Sequence, residues 1–133
     1  MIDATTVLRV RSDRDIVAAR ERGRKLAAEI GFRGVDLVLI ATAISEVTRN
    51  IISYATHGEV ALAPVPGRRR GIEIVARDKG PGISDIALAM QDGYSTGSGL
   101  GLGLPGCKRL MDEFSIESAV GVGTKVSMRK WLS

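Results

Sequence analysis

Glu46 and Asn50 stand four residues apart in the segment from Asp36 to Ala55, where apolar residues recur at helical spacing. They therefore point the same way from one helix. A carboxylate can accept a proton or orient a water. An amide oxygen is a neutral hard ligand for Mg²⁺, an ion that keeps several waters and takes other ligands from phosphates. The pair suits one nucleotide–metal site, and it equally suits an ordinary solvated helix face.

Asp78 opens the turn Asp78-Lys79-Gly80-Pro81-Gly82 after an apolar strand. A carboxylate there can accept a hydrogen bond from an exocyclic amine such as that of adenine. Gly80 and Gly82 let the backbone turn sharply and approach a flat ligand. The same residue types also favour a plain strand-ending turn. Gly97, Gly99, Gly101, Gly103 and Gly106 follow, interleaved with Leu100, Leu102 and Leu104. Backbone N–H groups at a helix start suit phosphates. No Lys-Ser or Lys-Thr follows, so the run is not a P-loop. It also lacks the setting of a dinucleotide fingerprint.

The elements that must position these residues are legible from period and punctuation. Thr6–Arg11 reads as a strand with Leu8 and Val10 on one face. Ser12 or Asp13 caps a helix that runs to Ile30 and stops at Gly31, with the stripe Ile16, Ala19, Gly23, Ala27 and Ile30. The second helix, Asp36–Ala55, buries Leu37, Ile40, Ala41, Ile44, Val47, Ile51 and Ala55. Thr42, Glu46, Arg49, Asn50 and Ser53 share another face. Glu59–Pro64 and Ile72–Arg77 are strands joined across Gly67–Gly71. A short helix near Ser84–Gln91, the glycine loop, and a helix from about Pro105 to Glu113 follow. Strands Phe114–Ser118 and Thr124–Trp131 close the chain. This order predicts an α/β two-layer sandwich, with helices on one face of a mixed sheet.

The 133 residues suit a single domain, 1–133, with enough apolar content (44%) for a core. The longest apolar stretch, Leu37–Ile44, falls far short of the roughly 20 residues that span a bilayer. Residues Met1–Thr6 have neither the basic nor the apolar region of a secretory signal. One cysteine, Cys107, excludes an internal disulfide framework and fits a reducing compartment. The expected setting is cytoplasmic. Net charge is +4, with clusters at Arg9–Lys25 and Arg68–Arg70. These suit an acidic partner or solvated surfaces. The few aromatics give little for stacking bases, so nucleic acid is not the expected partner.

Taken in order, the motifs resemble those of the Bergerat-fold (GHKL) ATPases, the superfamily of gyrase, the Hsp-ninety chaperones, histidine kinases and anti-sigma-factor kinases. Glu46–Asn50 resembles the first box, Asp78–Gly82 the adenine box, Gly99–Leu104 the phosphate-binding lid, and Gly121–Thr124 the last box. Ser12–Arg20, Glu46–Tyr54, Asp78–Asp85 and Gly99–Phe114 further resemble the small switch serine kinases of the stressosome. The resemblance implies a serine/threonine-protein kinase using ATP and Mg²⁺. Its substrates would be STAS-domain scaffold proteins, and its output a phosphatase or other enzyme bound after release. Glu46 would be the general base and Asn50 the Mg²⁺ ligand. Asp78 would bind the adenine amine, Gly80 and Gly82 would shape the pocket, and Thr124 would assist. Gly99, Gly101 and Gly103 would close over the phosphates.

One departure stands out. No basic residue lies between Lys79 and Lys108, so the lid carries no cation. The γ-phosphate must then rely on Mg²⁺, backbone N–H groups, Arg49, Lys108 or a partner. Three other readings share the motifs: an anti-sigma factor that also phosphorylates its antagonist, a detached histidine-kinase catalytic domain, and an ATP-gated binding module without turnover. His57, the single histidine, sits beside Gly58 in a loop, which argues against self-phosphorylation.

Overall fold

The computed structural model describes residues 5–83, 90 and 103–133. The chain forms β1 (Thr6–Val10), α1 (Asp13–Ile30), α2 (Val35–Ala55), β2 (Gly58–Pro64), β3 (Gly71–Asp78), α3 (Gly103–Leu110), β4 (Glu113–Ala119) and β5 (Gly123–Trp131). The short helix expected near Ser84–Gln91 and the glycines at 97, 99 and 101 lie outside the described residues.

Both ends of α1 are as the sequence predicts. The Asp15 carboxylate accepts the N–H groups of Arg11 (2.8 Å) and Ser12 (3.1 Å), satisfying donors before the first turn. At the other end the Gly31 N–H returns to the Ala27 carbonyl at 3.1 Å. Arg70 donates to the Ile30 carbonyl, and Arg69 lies 4.4 Å over the Trp131 ring. Two arginines of the 68–70 cluster are thus engaged within the fold. The buried face of α1 is Ile16, Ala19, Gly23, Ala27 and Ile30. Gly23 is the close-contact point with α2, because a Cβ there would collide with Ile44 Cδ1.

The five strands are ordered β1-β2-β3-β5-β4, and every pairing is antiparallel. The sheet is therefore antiparallel rather than mixed. The reason is the helical hairpin. The passages from β1 to α1, from α1 to α2 and from α2 to β2 each reverse the chain, three reversals in all, so β2 runs against the direction of β1. Residues of one parity on the strands, including Val60, Leu62, Ile72, Ile74, Val126 and Met128, join the core beneath the helices. The opposite parity carries a charged row, Arg9, Glu59, Arg77, Lys125 and Glu117, paired in register.

α3 starts two residues before Pro105 and ends at Leu110, not at Glu113. Tertiary pairing outweighs local helix preference here. The Asp112 N–H bonds the Arg129 carbonyl (2.9 Å), and Glu113 pairs with Arg129 in the β4–β5 ladder. The Asp112 and Glu113 carboxylates then hold Trp131, through its backbone N–H and its Nε1–H, each at 2.7 Å. No described helix is long and apolar enough to cross a membrane.

Candidate nucleotide site

The middle of α2 is enclosed on all sides. Ala43, Ile44, Ser45, Glu46, Val47 and Thr48 are consecutive buried residues. Ser45 and Thr48 satisfy their hydroxyls on the Ala41 and Ile44 carbonyls at 2.9 and 2.8 Å. Glu46 is therefore not on a solvated face: it is 8% exposed. Its Oε1 accepts from Arg49 Nη1 at 3.1 Å. Asn50 lies one turn further along and is half-buried.

Glu46 is enclosed partly by α3. Cys107 on that helix is fully buried, with its Sγ 3.7 Å from the Ala43 carbonyl. Burial, and secondarily the Glu46 carboxylate, pushes the thiol pKa up to about 12. The fold thus favours the neutral thiol. That contribution is complete below the ordinary value of 9.0 and is lost as pH rises through about 12. The folded chain at pH 8 is expected to resist iodoacetamide and to react once unfolded in urea. Rapid labelling of the native chain would contradict this enclosure.

The last turns of α2 press on the turn that carries Asp78. A Cβ on Gly80 would lie 2.6 Å from the Ala55 Cβ. A Cβ on Gly58 would meet the Arg77 carbonyl, and would lie 2.9 Å from Ile51 Cγ2 and 3.1 Å from the Asp78 Cβ. A Cβ on Gly123 would strike the Asp78 carbonyl. Asp78 thus ends β3 inside a cradle of glycines from β2, its own turn and β5. Its Oδ1 accepts the Gly80 N–H at 2.9 Å, which fixes the carboxylate. Oδ2 has no hydrogen bond to the described residues and can take a ligand N–H.

Thr124 pairs with Asp78 across the β3–β5 ladder, and Ser118 pairs with Thr124 across β4–β5. The Ser118 Oγ lies 2.8 Å from Thr124 Oγ1, donates to the Gly123 carbonyl at 3.0 Å and accepts the Ile83 N–H at 2.7 Å. Gly82, at φ +80, packs so closely that a Cβ would strike the Ala119 carbonyl. The Gly121 N–H bonds the Pro81 carbonyl at 2.8 Å. The Asp78 turn and the β4–β5 turn are therefore fastened together.

The structure brings Asp78, Gly80, Gly82 and Thr124 to one end of the sheet, with Ile51 and Ala55 of the last α2 turns packed on the same end. Gly103 opens α3 at φ +67. Gly99 and Gly101 lie outside the described residues. A cavity of about 1040 Å³ touches Asp78, Ser118, Gly123 and Thr124, but spreads over the open sheet face past Arg9, Arg77 and Lys125, and Glu46 and Asn50 do not line it. The cradle around Asp78 is closely packed, whereas the cavity is broad and open. Among the described residues no cluster of three or more His, Cys, Asp or Glu could hold a metal. A single amide donor such as that of Asn50 suits an ion that takes its remaining ligands from phosphate and water.

Sequence reasoning missed Gly58 and Ser118. Gly58 gave no local signal, since its role arises across the ladder. Ser118 was accessible: folding the closing strands about Gly121 places it opposite Thr124.

The family model described as histidine kinase-, DNA gyrase B- and HSP90-like ATPase matches residues 35–133. The chain belongs to this ATPase family. It is 52% identical over 126 residues to the serine/threonine-protein kinase RsbT of Bacillus subtilis (strain 168), a match covering 94% of this chain and 95% of that protein. It is 32% identical to the anti-sigma F factor of Thermoanaerobacter sp. (strain X514), covering 90% of this chain and 82% of that one. The mycobacterial sensor histidine kinase MprB shares the fold at TM-score 0.57 and 20% identity, covering 96% and 97% of the two chains. Full-length ShkA in complex with AMPPNP does so at TM-score 0.58 and 16% identity, over all of this chain and 33% of that one. The Bergerat-type fold, the use of ATP and the kinase class expected from the sequence are borne out at the level of the family and its named relatives.

Proposed function

We propose that the chain is a switch-type serine/threonine-protein kinase that transfers the γ-phosphoryl group of ATP to STAS-domain scaffold or antagonist proteins. In this reading it then regulates a downstream phosphatase or other output enzyme by exchanging partners. The observation that carries the nucleotide part is the Asp78 cradle: a fixed carboxylate, with one oxygen free of hydrogen bonds to the described residues, set among glycines packed closely against its strand end. The protein-kinase part rests on the near full-length likeness to RsbT.

Each residue has a role in this reading. Asp78 accepts a hydrogen bond from the adenine amine, Gly80 and Gly82 shape the pocket, and Thr124 assists through its hydroxyl. Glu46 takes the proton of the acceptor hydroxyl, and Arg49 fixes its carboxylate. Asn50 would hold Mg²⁺, which would supply charge neutralisation at the phosphates. Gly99, Gly101 and Gly103 close over the phosphates. Phosphoryl transfer is mainly positioning plus electrostatics, so few reactive side chains are required.

The direct test is incubation with labelled ATP and candidate STAS proteins, followed by mapping of the modified residue. Phosphoserine or phosphothreonine on the partner is expected. A mixture that stays unmodified after long incubation contradicts the kinase reading. Because Lys79–Lys108 contains no cation between its ends, phosphate neutralisation is incomplete within the lid. Transfer to an assembled scaffold is accordingly expected to exceed transfer to an isolated substrate peptide. Equal rates would show that the docked partner completes nothing. An anti-sigma factor shares the fold and chemistry, as the 32% likeness illustrates. Pull-down against STAS proteins and a sigma subunit in parallel separates the two.

A further inference from the structure

We infer that Ser118 fixes the hydrogen-bonding polarity of Thr124, so that the base-recognition edge presents acceptors only and selects a purine with an amino group, not a carbonyl oxygen, at its 6-position. The inference rests on the adenine reading of Asp78.

Ser118, Thr124 and Asp78 occupy one row across three neighbouring strands. A serine hydroxyl has one proton and two lone-pair sites. The Gly123 carbonyl, which can only accept, takes the Ser118 proton at 3.0 Å. The Ile83 N–H, which can only donate, fills one lone pair at 2.7 Å. The remaining contact, 2.8 Å to Thr124 Oγ1, must therefore have Thr124 as its donor. With its proton committed, Thr124 offers a ligand lone pairs alone.

Asp78 has the same polarity. An ionised carboxylate only accepts, and Oδ1 is already filled by the Gly80 N–H. A 6-amino group brings two N–H donors to this edge. A 6-oxo purine brings only its N1–H as a donor, beside a 6-oxygen that adds a further acceptor and goes unpaired, the situation that sites built on hydrogen bonds reject most strongly. Ser118 touches no reacting atom in this scheme. It is a positioning residue, and its bond to Ile83 also anchors the chain leaving the Gly82 turn.

The test is the ratio of ATP to inosine triphosphate affinity, measured by calorimetry on the full chain. Wild type is expected to prefer ATP. Ser118→Ala is expected to narrow that preference by about tenfold, the worth of one hydrogen bond, because the released Thr124 hydroxyl can turn and donate to the 6-oxygen. Ser118→Thr, which keeps the hydroxyl, is expected to keep the wild-type ratio. A merely structural serine would weaken both nucleotides alike, so an unchanged ratio in Ser118→Ala overturns the inference. If that variant does not fold, Thr124→Val decides: a narrowed ratio supports the inference and an unchanged ratio overturns it. Asp78→Asn separates the two levels. If it leaves ATP affinity intact, the adenine reading itself fails, and this inference with it.

Discussion

Glu46→Gln is expected to slow phosphoryl transfer by about 10²–10⁴-fold, the range for removing a positioned general base, while ATP binding stays near wild type. The side chain is isosteric, so the enclosure of α2 by α3 is preserved. Its amide oxygen can still accept from Arg49, which is 39% exposed and loses little if the pair loosens. What disappears is the capacity to take a proton from the acceptor hydroxyl. The measurement is nucleotide affinity and single-turnover transfer on the same preparation. Glu46→Ala should give the same kinetic defect with a larger loss of stability, since it also leaves a void in a buried turn. If ATP binding collapses in Glu46→Gln, the carboxylate belongs to binding and not to chemistry. The non-turnover reading makes the opposite prediction, because wild type and variant would then be equally silent in transfer and equally competent in binding.

The elements that the sequence discloses are those specified locally. α1 announces its ends through the cap candidates Ser12 and Asp13 and through Gly31, and its buried stripe follows from period alone. The strands fall within a residue of their expected limits because apolar alternation is interrupted by glycine-rich turns. Failures arise where a distant strand decides. Helical preference runs on through Asp112 and Glu113, yet the β5 ladder claims both. The site divides the same way. Motif order identifies Glu46, Asn50, Asp78 and the last box, but not the burial of Glu46. The α2 stripe predicts a polar face at Glu46, and that residue is instead buried, with Cys107 of α3 packed beside it. Gly58 is similarly silent in sequence, since its reason is the Asp78 Cβ on the adjacent strand.

Gly123→Ala is expected to destroy nucleotide binding and to lower stability by about 2–4 kcal/mol, whereas Gly121→Ala costs only about 1 kcal/mol and leaves affinity unchanged. The two glycines stand in one turn, two residues apart, and both have positive φ, +142 and +79. Sequence cannot tell them apart. Their surroundings can. A Cβ at Gly121 meets nothing within 4 Å, so alanine there suffers only the left-handed backbone preference. A Cβ at Gly123 strikes the Asp78 carbonyl and lies 2.9 Å from the Lys79 Cα, both of them backbone and unable to swing aside as a side chain would. Relief requires β5 and β3 to part at the point where Thr124 and Asp78 face each other. Separation moves the carboxylate away from Thr124 and releases Ser118 from the Gly123 carbonyl. Thermal melts should place Gly123→Ala about 10 °C below wild type, by the usual conversion for a chain of this size. Calorimetry with ATP should show no saturable binding. Retained affinity in Gly123→Ala would mean that the base is recognised elsewhere than at the Asp78 cradle. Equal loss in both variants would show that turn rigidity, not the close approach to Asp78, sustains the site.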